Sequence, residues 1–206
     1  MKRTLRRLAL LSVAMLLGFA SCEKKLNSIA GHDYVDLGLP SGTKWATCNV
    51  GATAPHEYGN YYAWGETTTK STYSSENSRT HGVSMNDISG NPTCDAARAD
   101  WGSTWRMPTE AEMEELKDNC TWTWTTQNGV NGCTITGPNG NSLFLPAAGY
   151  CDGSSHYLVG EYGYYWSSTP YESDDYVACS LYFYSGHRNA IWNGRYYGRT
   201  VRPVSD

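Results

Sequence analysis

Apolar and polar positions alternate where the folded region begins: Val35, Leu37 and Leu39 are spaced by polar or small neighbours, which predicts a strand over Asp33 to Leu39. Pro40-Ser41-Gly42 then reads as a turn, and Lys44 to Val50 as a second short strand closing an opening hairpin. Gly59 to Gly65 carries Tyr61, Tyr62 and Trp64, aromatic residues expected to pack as core around a turn. From Thr67 to Pro92 the chain is rich in Ser, Thr, Asn and Gly with little apolar periodicity, the pattern of a long surface loop. Asp95 to Gly102 has room for one short helical turn.

The clearest helix signal runs from Thr109 to Asn119. Thr109 follows Pro108 and stands three residues before Glu112, the spacing of a capping box, while Met113 and Leu116 form an apolar stripe. Glu112 and Glu115 sit near the helix N-terminus, where negative charge is favoured, so capping and solvation explain them better than a catalytic pair does. Beyond the helix the pattern turns to strands. Thr121 to Thr126 alternates Thr with Trp and puts Trp122 and Trp124 on one face. Gly129 to Thr136 and Ser142 to Leu145 flank the Pro138-Asn139-Gly140 turn, and a Gly- and Ser-rich loop follows as far as Gly163. Tyr164 to Ser168, Val177 to Tyr184 and Arg199 to Val204 are the last predicted strands. The expected core is Trp45, Trp64, Trp105, Leu116, Trp166, Leu181 and Phe183, with Arg106 tying the start of the helix to the sheet.

Charge and composition change the reading first at the N-terminus. Lys2, Arg3, Arg6 and Arg7 precede an apolar run from Leu8 to Phe19, and Ala20-Ser21-Cys22 supplies the small residues of a cleavage site. The run is short of the roughly 20 residues a membrane span needs. A cysteine directly after such an ending resembles a bacterial lipobox, with residues 1–22 a lipoprotein signal segment ending at Cys22, which is lipidated after cleavage. Cleavage removes four of the sixteen Lys and Arg and none of the twenty Asp and Glu; twelve against twenty leaves a formal charge of −8, against −4 for the whole chain. That balance argues against nucleic-acid backbones as partners. The six other cysteines, at 48, 94, 120, 133, 151 and 179, have long irregular gaps and no CxxC, so a structural zinc site is not expected. Export permits one or two disulfides at most, alongside free buried thiols.

The C-terminal segment is unlike the rest. Nine of the sixteen tyrosines fall in residues 162–206, mixed with Ser, Asn, Asp, His and Arg, a composition suited to recognition: tyrosine offers broad contact at low entropic cost and the small polar residues adaptable hydrogen bonds. Alternation over Cys179 to Tyr184 puts Cys179, Leu181 and Phe183 on a core face and Ser180, Tyr182 and Tyr184 outward. After a turn at Ser185-Gly186, the residues His187, Asn189, Ala190, Ile191, Trp192, Asn193, Tyr196 and Tyr197 are expected in irregular backbone. With Tyr171, Asp174, Asp175 and Tyr176 they make up the candidate ligand-binding surface.

Several short segments in order carry a resemblance: Asp36-Leu37-Gly38-Leu39-Pro40-Ser41-Gly42-Thr43-Lys44-Trp45-Ala46, Tyr61-Tyr62-Ala63-Trp64-Gly65, Trp105-Arg106-Met107-Pro108-Thr109, Leu145-Pro146-Ala147-Ala148-Gly149, Tyr165-Trp166-Ser167-Ser168 and Val201-Arg202-Pro203-Val204. Together they resemble the Fibrobacter succinogenes major paralogous domain of bacterial surface lipoproteins, related to C-type lectin-like proteins. The resemblance implies an α+β, C-type lectin-like fold over residues 33–206, preceded by a tether over 23–32. Such a fold has small twisted antiparallel sheets, one or two flanking helices, long loops, and N- and C-terminal strands close together. The helix would pack across the sheet. Some members resemble the variable proteins of diversity-generating retroelements, whose template adenines are copied with errors. AAC codons so altered cannot yield Lys, Gln, Glu, Met or Trp. From Tyr171 to Thr200 there is no Lys, Gln or Met, while Glu172 and Trp192 depart from the pattern.

Catalytic chemistry finds little footing. The histidines (His32, His56, His81, His156, His187) show no HExxH spacing, and neither a Gly-x-Ser-x-Gly elbow nor a phosphate loop is present. Asp174-Asp175 is a candidate calcium contact, yet the Glu-Pro-Asn signature of calcium-dependent lectins is missing. Formylglycine-generating enzymes share a lectin-like fold but use a close cysteine pair, whereas Cys133, Cys151 and Cys179 are far apart in sequence. The expectation is a non-enzymatic binding protein without cofactor or metal, anchored to the membrane by lipid on the outer surface of a Gram-negative cell, with an unidentified protein or glycan as ligand. The alternatives are a structural or fimbria-associated adhesion subunit and a calcium-dependent carbohydrate-binding lectin.

Overall fold

The computed structural model of the protein describes residues 27–206. The predicted signal segment (residues 1–22), the lipidation position Cys22 and the first tether residues lie outside the described residues. Where the rest of the tether was expected, Asn27–Ile29 forms strand β1 and pairs antiparallel with β2 (His32–Asp36).

Twelve short strands, two short α-helices and one 3-10 turn make up the described fold. Strand β3 (Lys44–Ala46) pairs with β2 and also with the last strand, β12 (Val204–Ser205), giving the order β1-β2-β3-β12. The two ends of the described chain therefore meet in one sheet. A second sheet joins β4 (Thr121–Gln127), β5 (Val130–Thr136) and β6 (Ser142–Pro146). A two-stranded hairpin, β7 (Tyr150–Asp152) with β8 (Ser155–Tyr157), follows. The third large element is the sheet β11-β10-β9, built from β9 (Gly163–Pro170), β10 (Val177–Tyr184) and β11 (His187–Gly194).

Helix α1 (Ala96–Trp101) is capped by Asp95, whose carboxylate also accepts the backbone N–H groups of Gly90 and Met107 at 2.7 and 2.9 Å. Helix α2 (Glu110–Asn119) starts with the predicted capping box: Thr109 Oγ1 accepts from Glu112 N, and the Glu112 carboxylate accepts from Thr109 N. Glu112 also receives two N–H bonds from Arg106 at 2.7 and 2.8 Å, so Arg106 closes onto the helix it precedes while its backbone bridges Val204. Glu115, expected to be only solvated, accepts from Ser41 N and Oγ and fastens the β2–β3 turn to the helix.

The α+β, C-type lectin-like expectation is corrected by this architecture. Among the described residues the fold is mainly β, with 39% strand against 11% helix, distributed over small antiparallel sheets. Only α2 is long enough to flank a sheet, where it lies against β9, β10 and β11. The physical reason is local: after Asn119 the chain is dominated by Thr, Trp, Tyr and Gly, which favour strands and tight turns over helix.

All seven predicted core residues are buried: Trp45, Trp64, Trp105, Leu116, Trp166, Leu181 and Phe183. Six of them divide between two clusters, while Trp105 packs edge-on to Trp101 and donates from Nε1 to the Ile29 carbonyl. One gathers Leu37, Trp45, Met113, Leu116, Ile135, Leu145, Tyr165, Leu181 and Phe183; the other gathers Val50, Tyr62, Trp64, Ile88, Met107, Trp166 and Val201. At the first, Gly163 is required by contact: a Cβ there would stand 2.1 Å from the Phe183 ring. The six described cysteines are all free, five of them buried and Cys48 half-buried, so the disulfides that export allows are absent among the described residues.

Three predicted assignments, one strand and two irregular segments, are corrected. Arg199 to Val204 is not a continuous strand; it threads the interior, bridging Tyr62 through Arg199, Tyr165 through Thr200 and Arg106 through Val204. The loop before Gly163 contains the β7–β8 hairpin, turned at Gly153-Ser154 with Gly153 at φ +57°. His187 to Gly194, expected to be irregular, is the full-length edge strand β11.

Candidate functional site

The β9–β10–β11 register decides which candidate residues share a surface. Paired residues project to the same side of an antiparallel sheet. Tyr182 pairs with Tyr164 on one side and Asn189 on the other; Tyr184 pairs with His187, Ser180 with Ile191, and Ala178 with Asn193. These define an outer face. Leu181 pairs with Tyr165 and Ala190, Cys179 with Trp192, and Phe183 with Arg188, which defines the inner face towards α2. Arg188 accordingly reaches Lys117 O and the Trp122 ring.

The candidate set is thus split. Tyr182, Tyr184, His187, Asn189, Ile191 and Asn193 share the outer face, whereas Ala190 and Trp192 belong to the opposite one. Trp192 is partly exposed there, against the Tyr171 ring at 4.8 Å. Ser180 is a correction: strand alternation turns it outward, but it is fully buried because the Arg199 guanidinium lies over it and donates to its Oγ. Asp174 is used locally, its Oδ1 accepting from Tyr176 N at 2.8 Å, while Asp175 O accepts from Gly82 N. Among the described residues no group of three or more His, Cys, Asp or Glu side chains is placed to hold a metal ion.

The outer face is an unbroken run of aromatic contacts. His187 stacks on Tyr184 at 5.0 Å; Tyr184 touches Tyr162 at 5.1 Å; Tyr162 and Tyr182 lie nearly parallel, 13° apart, at 5.8 Å. Tyr182 meets Tyr164 at 5.0 Å, and Tyr164 meets Tyr150 at 5.3 Å. Tyr150 stacks on Tyr157 and stands edge-on to Tyr197, which packs on Tyr196 at 4.2 Å. His81 then bridges Tyr196 and Tyr176 at 5.2 and 4.8 Å. Tyr176 is the most exposed tyrosine of the run, at 56%.

Five members of this surface lie outside the candidate set: His81, Tyr150, Tyr157, Tyr162 and Tyr164. The Tyr162 and Tyr164 pair was legible, since alternate tyrosines around a core Tyr165 are the mark of a strand's outer side. Tyr150 and Tyr157 arrive through a hairpin signalled only by a two-residue Gly-Ser turn. His81 carries no sequence signal. It is delivered by Arg195, which is buried, stacks on Trp64 at 4.4 Å and donates to the carbonyls of Thr80, Val83 and Val177.

Four phenols of this face, Tyr150, Tyr164, Tyr182 and Tyr197, are held in their neutral form. Burial raises the pKa of Tyr164 to about 12, with Tyr182 contributing next, and burial likewise raises those of Tyr150 and Tyr182. Tyr197 is raised to about 12, first by its hydrogen bond with Tyr196 and then by burial. They can therefore donate O–H bonds and offer ring faces, but supply no nucleophilic oxyanion at neutral pH. The buried thiols are equally quiet: burial pushes Cys133, Cys151 and Cys179 up to about 12.

Residues 106–204 match the family model described as "Domain of unknown function (DUF8237)". That stretch, 99 of the 206 residues, takes in α2, the β4–β6 sheet and all three strands of the tyrosine sheet. No curated protein and no solved structure matches the chain.

Proposed function

We propose that the protein is a surface-displayed binding protein that recognises its ligand, without catalysis, through the outer face of the β9–β10–β11 sheet. The observation that carries this is the continuous ring-to-ring path from His187 to Tyr176. Fixed aromatic side chains with half-exposed faces give contact area with little rotamer entropy left to lose. Asn189 and Asn193 on the same side add directional polar groups. The signal segment and Cys22 support display on a lipid anchor, and the composition of 171–200 supports diversification by a retroelement.

The test is binding of the purified protein to glycan and protein arrays beside a Tyr182→Ala/Tyr184→Ala variant. The expected result is a defined set of ligands lost at least about tenfold in the variant, as for hot-spot aromatics, with the fold intact. Equal binding by both proteins removes the face from the reading. Self-association lost in the variant supports a structural subunit instead. Across related strains, diversification predicts changes at Tyr182, Tyr184, Asn189, Ile191 and Asn193, with Ser180, Leu181, Phe183, Arg195 and Arg199 constant. Changes spread evenly over both sets sink it.

A further inference from the structure

The tyrosine face covers a buried charge, Arg199, that has no ion-pair partner among the described residues. Arg199 is 2% exposed, and its guanidinium carbon lies 4.7 Å from the centre of the Tyr164 ring, 4.5 Å from that of Trp166 and 5.8 Å from that of Tyr197. Its bond to Ser180 Oγ fixes it on the outer side of the sheet. No carboxylate among the described residues lies within ion-pair distance of it, and its Nε has no hydrogen-bond partner. The neighbouring buried arginine, Arg202, differs: it donates to Asn49 Oδ1 and to the carbonyls of Ala46, Thr47 and Phe144. Burial lowers the pKa of Arg199 to about 10, which still leaves it charged at neutral pH.

The Tyr164 ring lies over this charge and the Tyr150 ring stands 5.3 Å from that of Tyr164; both residues are half-buried, and neither hydroxyl has a hydrogen bond to another described residue. Both are fixed as O–H donors. A single buried cation in low dielectric acts strongly over a few ångströms, and leaving it unpaired is costly. Two phenol rings and one buried charge thus lie side by side on the binding face.

Resting on the binding face proposed above, we propose that Tyr150, Tyr164 and Arg199 form an oxyanion subsite that takes a carboxylate carried by the ligand. The phenols contact the oxygens and Arg199 behind them supplies the charge. One positive charge and two O–H donors suit a monoanionic carboxylate better than a dianionic phosphate, which calls for several cations. Asp152, beside Tyr150 and Tyr197, stands at the rim and opposes the anion.

The experiment follows ring signals of isotope-labelled tyrosines while the purified protein is titrated with two matched pairs: glucuronate against glucose, and N-acetylglutamate against N-acetylglutamine. The expected result is saturable shifts at Tyr150 and Tyr164 with the charged member of a pair only. The charged member that binds more tightly identifies the carboxylate as saccharide or polypeptide in origin. Tyr150→Phe/Tyr164→Phe, which keeps both rings, weakens that binding by about tenfold or more; Arg199→Gln does the same, and Asp152→Asn tightens it. Charged and neutral members acting alike, or the double Phe variant binding unchanged, overturns the subsite. If ligands from the arrays still depend on Tyr182 and Tyr184 in that case, the binding face stands and only the subsite falls.

Discussion

Arg202 donates from Nε to Asn49 Oδ1 at 2.7 Å, linking positions 153 residues apart in the chain. Asn49 in turn donates to the Tyr58 carbonyl at 2.9 Å, and the other Arg202 donors hold the carbonyls of Ala46, Thr47 and Phe144. One side chain therefore joins the region after β3, the β6 strand and the C-terminal segment. Its burial lowers its pKa, yet every donor that bonds does so to a neutral acceptor.

Replacing Arg202 by Ala should destabilise the protein by about 3–5 kcal/mol, since it strands buried acceptors that water cannot reach. Arg202→Lys should recover little, because an ammonium cannot span acceptors arranged for a planar fork. Denaturant unfolding monitored by tryptophan fluorescence measures both; a loss under about 1 kcal/mol would show the network to be dispensable.

Acid stability should turn on Glu112. Burial alone would raise its pKa, but the Arg106 guanidinium and the Thr109 N–H outweigh that and hold it below its ordinary value of 4.5. A carboxylate depressed on folding adds stability above its unfolded pKa and loses it as pH falls through the lower folded value. Unfolding free energy measured from pH 6 down to pH 2 should therefore drop less steeply in Glu112→Gln, while that variant is already weaker at pH 6. Parallel curves would assign the acid loss to other groups.

Asp95 receives three backbone N–H groups, from Gly90, Arg98 and Met107. In Asp95→Asn one oxygen becomes an NH2 facing donors, so a loss of about 1–3 kcal/mol is expected even though the shape is kept. A thermal midpoint matching the wild type would mean the loop 90–95 can rearrange at no cost.

Native alkylation should label Cys48 first. It is half-buried, whereas burial raises the pKa of Cys120 to about 11 and of Cys133, Cys151 and Cys179 to about 12. Among the six described cysteines, iodoacetamide at pH 8 followed by peptide mass spectrometry should find Cys48 modified, with the other five reacting only after unfolding. Early modification of Cys179 would contradict its place on the inner face.

The legible parts of the fold are those where one residue type does one job. Trp45, Trp105 and Trp166 can only be core, and Thr109 with Glu112 can only be a cap at that spacing. Strand β11 was hidden because, as an edge strand, it exposes His187, Arg188 and Asn189 in succession and shows no alternation, although two residues between Tyr184 and His187 are the length of a hairpin turn. Arg199 to Val204 misled in the opposite sense: its β-branched Thr200, Val201 and Val204 favour a strand, but the backbone makes mainly isolated bridges and the arginines are interior. Ser180 failed for a related reason, since what covers it lies 19 residues downstream. The site was therefore read as a segment when it is a face. It takes in loop and hairpin residues that no local pattern connects to it.

The row formed by Tyr162, Tyr164, Tyr182 and Tyr184 has an optical consequence. Phenols held 5.0 to 6.4 Å apart in fixed orientation couple electronically and give the native protein a near-ultraviolet dichroism that fluctuating side chains lack. A ligand that rotates even one of these rings changes the coupling of its neighbours. The recognition face is thus its own reporter, and engagement can be followed by light absorption without attaching a probe to it.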